Sequence, residues 1–175
     1  MTWDNIFLDI AKNLANGSKC VSHSVGCIIV KDNRIISSGV NGSPSGYTNC
    51  NDKFPNYDRN NHTEEERLVH RNWSILHEIH AEMNAIISAS IFGISIKDSS
   101  FYVTMTPCSN CLKNMIALGV KNIYIDKLYD GTDNIALIDF TDRNNMNIFK
   151  KHKFDSSFIK LTPTNIRAVE KGILC

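Results

Sequence analysis

Two short stretches, His80-Ala81-Glu82 and Pro107-Cys108-Ser109-Asn110-Cys111, constrain this chain more than anything else in it, because their side chains belong together in space. Two soft thiolates and an imidazole are a zinc donor set, and a zinc with three protein ligands keeps a fourth position for water, as a hydrolytic centre requires. His80 stands at the start of an apolar-periodic run (Ala81, Met83, Ala85, Ile86, Ile87, Ala89). Two residues along a helix turn the side chain by about half a turn, so His80 can hold metal while Glu82 stays free to move protons. Pro107 suits the opening of a second helix, whose N-terminus favours Cys108 and Cys111 as thiolates. The competing reading is a structural zinc knuckle or coincidence, since C-x-x-C and H-x-E each recur by chance. The free glutamate and the missing fourth ligand favour catalysis.

With 175 residues the chain is long enough for a real core and reads as one domain, with an irregular insertion at about 47–78. Lys and Arg number 19 against 18 Asp and Glu, a net charge of +1, so the totals carry no electrostatic footprint for a polynucleotide. The first ten residues include Asp4 and Asp9 and lack the layout of a signal peptide, and no apolar run is long enough to span a membrane. A cytoplasmic protein is expected. In that setting six cysteines point to metal binding before disulfides. Cys27 lies in the apolar run Val25 to Val30 and reads as a buried small residue, and Cys175 is the last residue.

Residues 3–14 place Trp3, Ile6, Phe7, Ile10, Ala11 and Leu14 on one helical face, with Asn16-Gly17 as a stop. Val25 to Val30, a tight turn at Asp32-Asn33, and Arg34 to Val40 predict a β-hairpin. The turn-rich loop Asn41 to Gly46 follows, read equally well as a mere connection. After the polar stretch 47–62, Thr63 and Glu66 form a capping-box pattern ahead of Leu68, Val69, Trp73 and Leu76. Helices are expected from His80 to Ile91, Ser109 to Leu118 and Asp133 to Asn144, and a last one from Thr164 to Lys171. Strands are expected from Phe101 to Met105, Lys121 to Asp126 and Met146 to Phe149. The order implies a three-layer α/β/α sandwich on a mixed sheet of about five strands. No internal repeat, low-complexity segment or phosphate-binding glycine motif is present.

The loop Gly39-Val40-Asn41-Gly42-Ser43-Pro44, the run His80-Ala81-Glu82-Met83-Asn84-Ala85-Ile86 and Thr106-Pro107-Cys108-x-x-Cys111 together resemble the deoxycytidylate (dCMP) deaminases, notably those of tailed bacteriophages. H-x-E…P-C-x-x-C is an established signature of the zinc nucleobase deaminases. The likeness runs up to about Phe149. It implies a cytidine-deaminase-like fold and hydrolysis of dCMP to dUMP and ammonia, feeding thymidylate synthesis. It also implies a homo-hexamer activated by dCTP and inhibited by dTTP, with Mg²⁺ accompanying the regulatory nucleotide. By the same resemblance Asn41 contacts the deoxyribose, the Ala81 N–H meets the pyrimidine carbonyl, Tyr129 lies near the substrate, and Gly42 belongs to the regulatory site. Many relatives carry a basic residue where this chain has Ser24, which leaves the phosphate contact unassigned.

The resemblance further implies a second, structural zinc held by Cys20, Cys50, His70 and Glu78, with His77 as a rival fourth ligand. Without it, these are two buried thiols and a surface histidine. A metal there makes physical sense, because a polar insertion has little apolar surface to bury. His23, His62 and His152 sit among polar neighbours and read as solvated, and Glu64 to Arg67 as a solvent-facing helix start. Trp3, Phe7, Trp73 and Phe92 read as core or subunit interface. Two other functions compete: a polynucleotide deaminase, such as a tRNA adenosine deaminase, using a local patch such as Lys150-Lys151-Lys153, and a non-catalytic zinc module that binds nucleotides. The near-neutral charge speaks against the first and the intact Glu82 against the second.

Overall fold

The computed structural model describes residues 2–129, 134, 137, 144 and 146–172. Helix α1 (Trp3–Ala15) opens at Thr2, whose hydroxyl accepts from the Asn5 N–H. Strands β1 (Gly26–Lys31) and β2 (Arg34–Val40) follow as an antiparallel hairpin. Its two turn residues, Asp32 and Asn33, have φ of 49° and 58°, the left-handed pair that matches the twist of the flanking strands. Next come α2 (Cys50–Lys53), α3 (Glu64–His77), α4 (Ala81–Ile91), β3 (Ser100–Met105), α5 (Ser109–Ala117) and β4 (Asn122–Lys127). The chain continues through β5 (Asn147–Lys151), β6 (Phe158–Lys160) and α6 (Ile166–Glu170).

The sheet has six strands in the order β2-β1-β3-β4-β5-β6. β3, β4 and β5 run parallel, while β2, β1 and β6 make antiparallel pairings. The sheet therefore has one strand more than the sequence implies, because the three residues of β6 lie in a polar tail too short to show a period. Alternation in β1 shows how the layers form. Ile28 and Val30 pack with Phe7, Leu8 and Ala11 of α1 on one face. Cys27 and Ile29 lie on the other face, in the core cluster that also holds Ala81, Ala85, Leu112 and Met115 of α4 and α5 and Ile166 and Val169 of α6. A strand covered on both faces is apolar throughout, hence the unbroken run in the sequence.

Two glycines set how closely the helices approach. A Cβ on Gly26 would overlap the Ala11 carbonyl oxygen of α1, and one on Gly39 would overlap the Ala81 carbonyl oxygen and the Ala85 nitrogen of α4. Ser37 then donates to the Ala85 carbonyl at 2.7 Å, and Asn84 donates to the Val40 carbonyl. Thus β2 locks the N-terminal half of α4, the half that carries the metal motif.

Several expectations need correction. Trp3 and Phe92 are 62% and 75% exposed, so neither belongs to the core, and of the two readings only the subunit interface remains for them. Phe7 is buried as expected, and so is Cys27. Residues 50–53 form a helical turn inside the stretch expected to be irregular. Most of the helix expected over 133–144 lies outside the described residues, as does Cys175.

Candidate metal centre and active site

Residues of α4 and α5 build the centre, each helix presenting its first turn. His80 and Cys108 are the N-cap residues of α4 and α5, in extended conformation, so their side chains stand at two converging helix N-termini. Cys111 follows one turn into α5 and is fully buried. His80 Nδ1 lies 3.4 Å from Cys108 Sγ and 3.6 Å from Cys111 Sγ. All three donor atoms fall within 4.8 Å of one another, a spacing suited to tetrahedral zinc. The charges fit a cation too. Hydrogen bonds from Cys111 and His80 hold the Cys108 thiol well down, to about 3, against the cost of burial. That thiolate pushes Cys111 up, and its hydrogen bond raises His80 to about 9. The cluster keeps one thiolate and retains on Cys111 the proton that a divalent cation would displace.

Glu82 sits in the first turn of α4, only 3% exposed. Burial raises its carboxyl to about 7, while hydrogen bonds from its own N–H and from Cys111 work the other way. A carboxyl poised near neutrality can accept a proton and return it.

The second set of expected ligands also converges. Cys20, Cys50, His70 and Glu78 place their donor atoms within 4.8 Å of one another. His70 Nε2 is 3.2 Å from Cys50 Sγ and 4.0 Å from Cys20 Sγ. Cys20 comes from the loop after α1, Cys50 opens α2, His70 is the one buried residue of α3, and Glu78 is the C-cap of α3. One oxygen of Glu78 accepts from Ser74, and the other is buried with no protein partner, as expected of a carboxylate that completes a cation site. The rival ligand His77 lies outside the cluster, stacked on Trp73 at 4.7 Å with its Nδ1 2.8 Å from the Trp73 carbonyl. Here too one thiol is held down, Cys20 by its hydrogen bond from Cys50, and its partner Cys50 is pushed up.

Gly42 and Tyr129 are tied to the segments that lead into α4 and α5, and Asn41 to the segment that leads into β1. Gly42 and Ile79 exchange backbone hydrogen bonds of 3.1 and 2.9 Å, fixing the residue just before His80. Asn41 Oδ1 accepts from the Val25 N–H and its Nδ2 donates to the His23 carbonyl, both at 2.8 Å. The Tyr129 N–H donates to Thr106 Oγ1 at 3.0 Å, and its ring meets the His23 ring edge-on at 5.6 Å. His23, read as solvated from sequence, is half-buried with an unpartnered Nδ1. No pattern in Ser22-His23-Ser24 signals this, because Tyr129 and Asn41 are remote in sequence. His62, read as solvated, is partly buried, stacked on Tyr57 at 5.1 Å with its Nδ1 3.1 Å from the Asp58 carbonyl, and His152 lies 3.5 Å from Asp155.

Residues 1–127 match the cytidine and deoxycytidylate deaminase zinc-binding region. The chain belongs to the cytidine and deoxycytidylate deaminase family. Its members are zinc-dependent hydrolases, and this deaminase carries their donor set at the helix starts described above. It is 37% identical over 148 residues to the deoxycytidylate deaminase of Enterobacteria phage T4, covering 70% of this chain and 77% of the relative. It superposes with a TM-score of 0.64 and 28% identity on the dCMP deaminase of cyanophage S-TIM5 in complex with dCMP and dUMP, over 83% of this chain and 93% of that one. A tRNA A34 deaminase, at 15% identity and a TM-score of 0.52 over 82% of this chain and 90% of that one, shares the fold alone. The fold by itself therefore does not select the substrate. Among the described residues, no helix is long and apolar enough to cross a membrane.

Proposed function

We propose that this deaminase hydrolyses deoxycytidylate to deoxyuridylate and ammonia. The observation that carries the reading is the buried Glu82 beside the three-donor cluster, in a chain 37% identical to a phage deoxycytidylate deaminase. His80, Cys108 and Cys111 hold zinc, which when bound supplies the positive charge that makes a water molecule acidic enough to attack. Glu82 would take one proton from the attacking water as the water oxygen bonds to the amino-bearing ring carbon, and pass it to the adjacent ring nitrogen. It would then take the second proton from the new hydroxyl as that oxygen becomes the ring carbonyl and the carbon–nitrogen bond breaks, and give it to the amine, which leaves as ammonia. Its carboxyl, near 7, matches both directions of transfer. The Ala81 N–H at the start of α4 holds the pyrimidine carbonyl, Asn41 the deoxyribose, and Tyr129 covers the base.

The wider reading follows from the same likeness. The chain is one deaminase domain of the cytoplasm whose insertion, at about 47–78, is pinned by a second zinc on Cys20, Cys50, His70 and Glu78. It assembles as a homo-hexamer, activated by dCTP with Mg²⁺ and inhibited by dTTP, with Gly42 in the regulatory site. Assembly is supported by Leu68, Val69, Ile75 and Leu76 of α3, all 42% exposed or more, an apolar face that water does not favour. The deciding experiment is ammonia release by zinc-loaded protein from dCMP, dCTP and a cytidine-containing oligonucleotide, each with and without added dCTP and Mg²⁺. Turnover of dCMP that rises with dCTP is expected. Turnover of the oligonucleotide alone would overturn the substrate while leaving the Glu82 chemistry intact.

A further inference from the structure

Lys150, Lys151 and Lys153 are grouped in the sequence and have no part in the proposed reaction, yet all three line one cleft of about 770 Å³. That volume falls within the roughly 300–1,000 Å³ of small-ligand sites. Lys12, Lys127 and His152 line it too, against three acids, Asp126, Asp155 and Glu170. Two of those acids are already engaged. Asp126 lies 2.8 Å from Lys12 Nζ, and Asp155 accepts from the Ser157 N–H at 2.7 Å and lies 3.5 Å from His152 Nδ1. Among the described residues Lys127 and Lys153 make no ion pair, and Lys153 Nζ stands 5.6 Å from the centre of the Phe154 ring, which is 76% exposed.

The cleft opens at the carboxyl ends of the parallel strands β4 and β5, the edge at which open α/β sheets receive ligands. Alternation along β5 sends its lysines to both faces of that edge. Lys151 follows Phe149 toward α1, where its Nζ lies 3.9 Å from Asp9. Lys150 follows Ile148 onto the face covered by α6, is only 9% exposed, and donates to the Lys151 carbonyl. Lysines are seldom buried so far. Lys127 shares this face, two residues after Ile125, the register partner of Lys150. The turn between β5 and β6 is braced as well. The His152 N–H donates to the Ser157 carbonyl at 2.9 Å, and the buried Asn5 of α1 donates to the Ser156 carbonyl at 2.8 Å. The cations therefore surround a preformed cavity, which lowers the entropy cost of filling it. Most of its lining comes after residue 127, where the match to the family ends.

We propose that this cleft binds a small oligophosphate, two or more linked phosphate groups, received by Lys127, Lys151 and Lys153 with the charge of Lys150 beneath them. The ligand is the free anion or the phosphate chain of a nucleotide, and in the second case the Phe154 ring offers a face to the base. A single-stranded polynucleotide has the same chemistry, but the buried Lys150 and the bounded volume favour a compact anion. The site is separate from the Glu82 centre and does not depend on the deoxycytidylate reading.

The test titrates full-length, zinc-loaded protein by calorimetry, in excess Mg²⁺, with orthophosphate, pyrophosphate, tripolyphosphate, ATP and a short single-stranded oligodeoxyadenylate. Wild type is compared with the double variant Lys127→Ala/Lys153→Ala, with Lys150→Met and with Phe154→Ala, and zinc content and melting temperature control for folding. Tripolyphosphate is expected to bind wild type more tightly than pyrophosphate, and orthophosphate most weakly. The double variant is expected to raise its Kd by roughly 10- to 100-fold, as loss of charge-assisted hydrogen bonds does. Its two positions lie outside the core, so the test stands even where Lys150→Met fails to fold. ATP binding tighter than tripolyphosphate, with the advantage lost in Phe154→Ala, would identify the ligand as a nucleotide; any other order of the two identifies the free anion. Absence of tripolyphosphate binding, or equal binding by wild type and the double variant, would overturn the proposal. So would an oligonucleotide that binds more tightly than every small anion and weakens steeply with salt, which would make the lysines a polynucleotide surface.

Discussion

The His80–Cys108–Cys111 cluster and the Cys20–Cys50–His70–Glu78 cluster draw on the same donor chemistry but rest on opposite kinds of support. In the first, two donors cap helices whose other faces are sunk in the main core, and one carboxylate, Glu82, is left free beside three donors. In the second, four donors close the set, and they come from a loop, a single helical turn, a helix with one buried residue and the cap of that helix. Apolar packing supports the first cluster, since Ala81, Ala85, Leu112 and Met115 of the same two helices lie in the main core. The second is held by the rings of Phe54 and Tyr57 against His70, at 5.2 and 4.8 Å, by Phe54 against Trp73 at 5.4 Å, and by a hydrogen bond from the Asn51 N–H to the Lys19 carbonyl. The lesson is that a fold can place an open, reactive site on its core but leaves a closed site to organise a region that has no core of its own.

The largest break in that comparison is Cys50→Ser. Structural zinc sites in small modules contribute on the order of 10 kcal/mol to folding, so loss of one donor is expected to free the insertion. Zinc content should fall from two to one per chain, and hydrogen exchange should rise across 47–78 while the sheet stays protected. A stoichiometry of one zinc in wild type would remove the second site altogether.

Next comes the contrast of the two glutamates. Glu82→Gln keeps shape and hydrogen bonding but cannot accept a proton, and general acid–base groups contribute about 10²- to 10⁴-fold, roughly 3–5 kcal/mol. Turnover should drop by that factor with both zincs retained. Glu78→Gln should do the reverse, weakening one zinc and leaving kcat within a few-fold. Were Glu82→Gln to keep full turnover with zinc bound, the proton-transfer role would be wrong.

The two clusters also differ in how far the sequence announces them. His80, Glu82, Cys108 and Cys111 are legible because their bonding chemistry demands fixed residue types at short spacing. The strand β1 is legible from its unbroken apolar run and the hairpin from Asp32-Asn33, since both signals are local. The four-donor set is legible only through resemblance, for Cys20, Cys50, His70 and Glu78 share no spacing rule. His23 is invisible because its environment is made by Tyr129 and Asn41. Gly39 looks like any strand glycine until Ala81 and Ala85 of α4 are seen against it. Its close approach yields a prediction for the core-supported cluster. Gly39→Ala must push α4 off the sheet, an overpacking expected to cost about 1–3 kcal/mol. Thermal denaturation would read the loss, and the first turn of α4, with Glu82 and the metal donor His80 at its cap, should show it as reduced kcat.

The smallest expected effect sharpens the comparison most, because it reaches one cluster without touching a ligand. Thr63 caps α3, its Oγ1 accepting from the Glu66 N–H at 3.2 Å while the Glu66 carboxylate accepts from the Thr63 N–H at 2.7 Å. Thr63→Ala removes that cap, at a typical cost of about 1 kcal/mol. In a helix buried along its length, neighbours would absorb such a loss, but α3 buries only His70. Fraying from residue 64 therefore travels toward the metal donor. Zinc affinity of the four-donor cluster should fall by about fivefold, the equivalent of ~1 kcal/mol, while the His80 cluster and kcat for dCMP stay unchanged. Competition with a chromophoric chelator resolves the two zincs. Equal weakening of both would mean that the clusters are coupled, and that the insertion is braced by the main core after all.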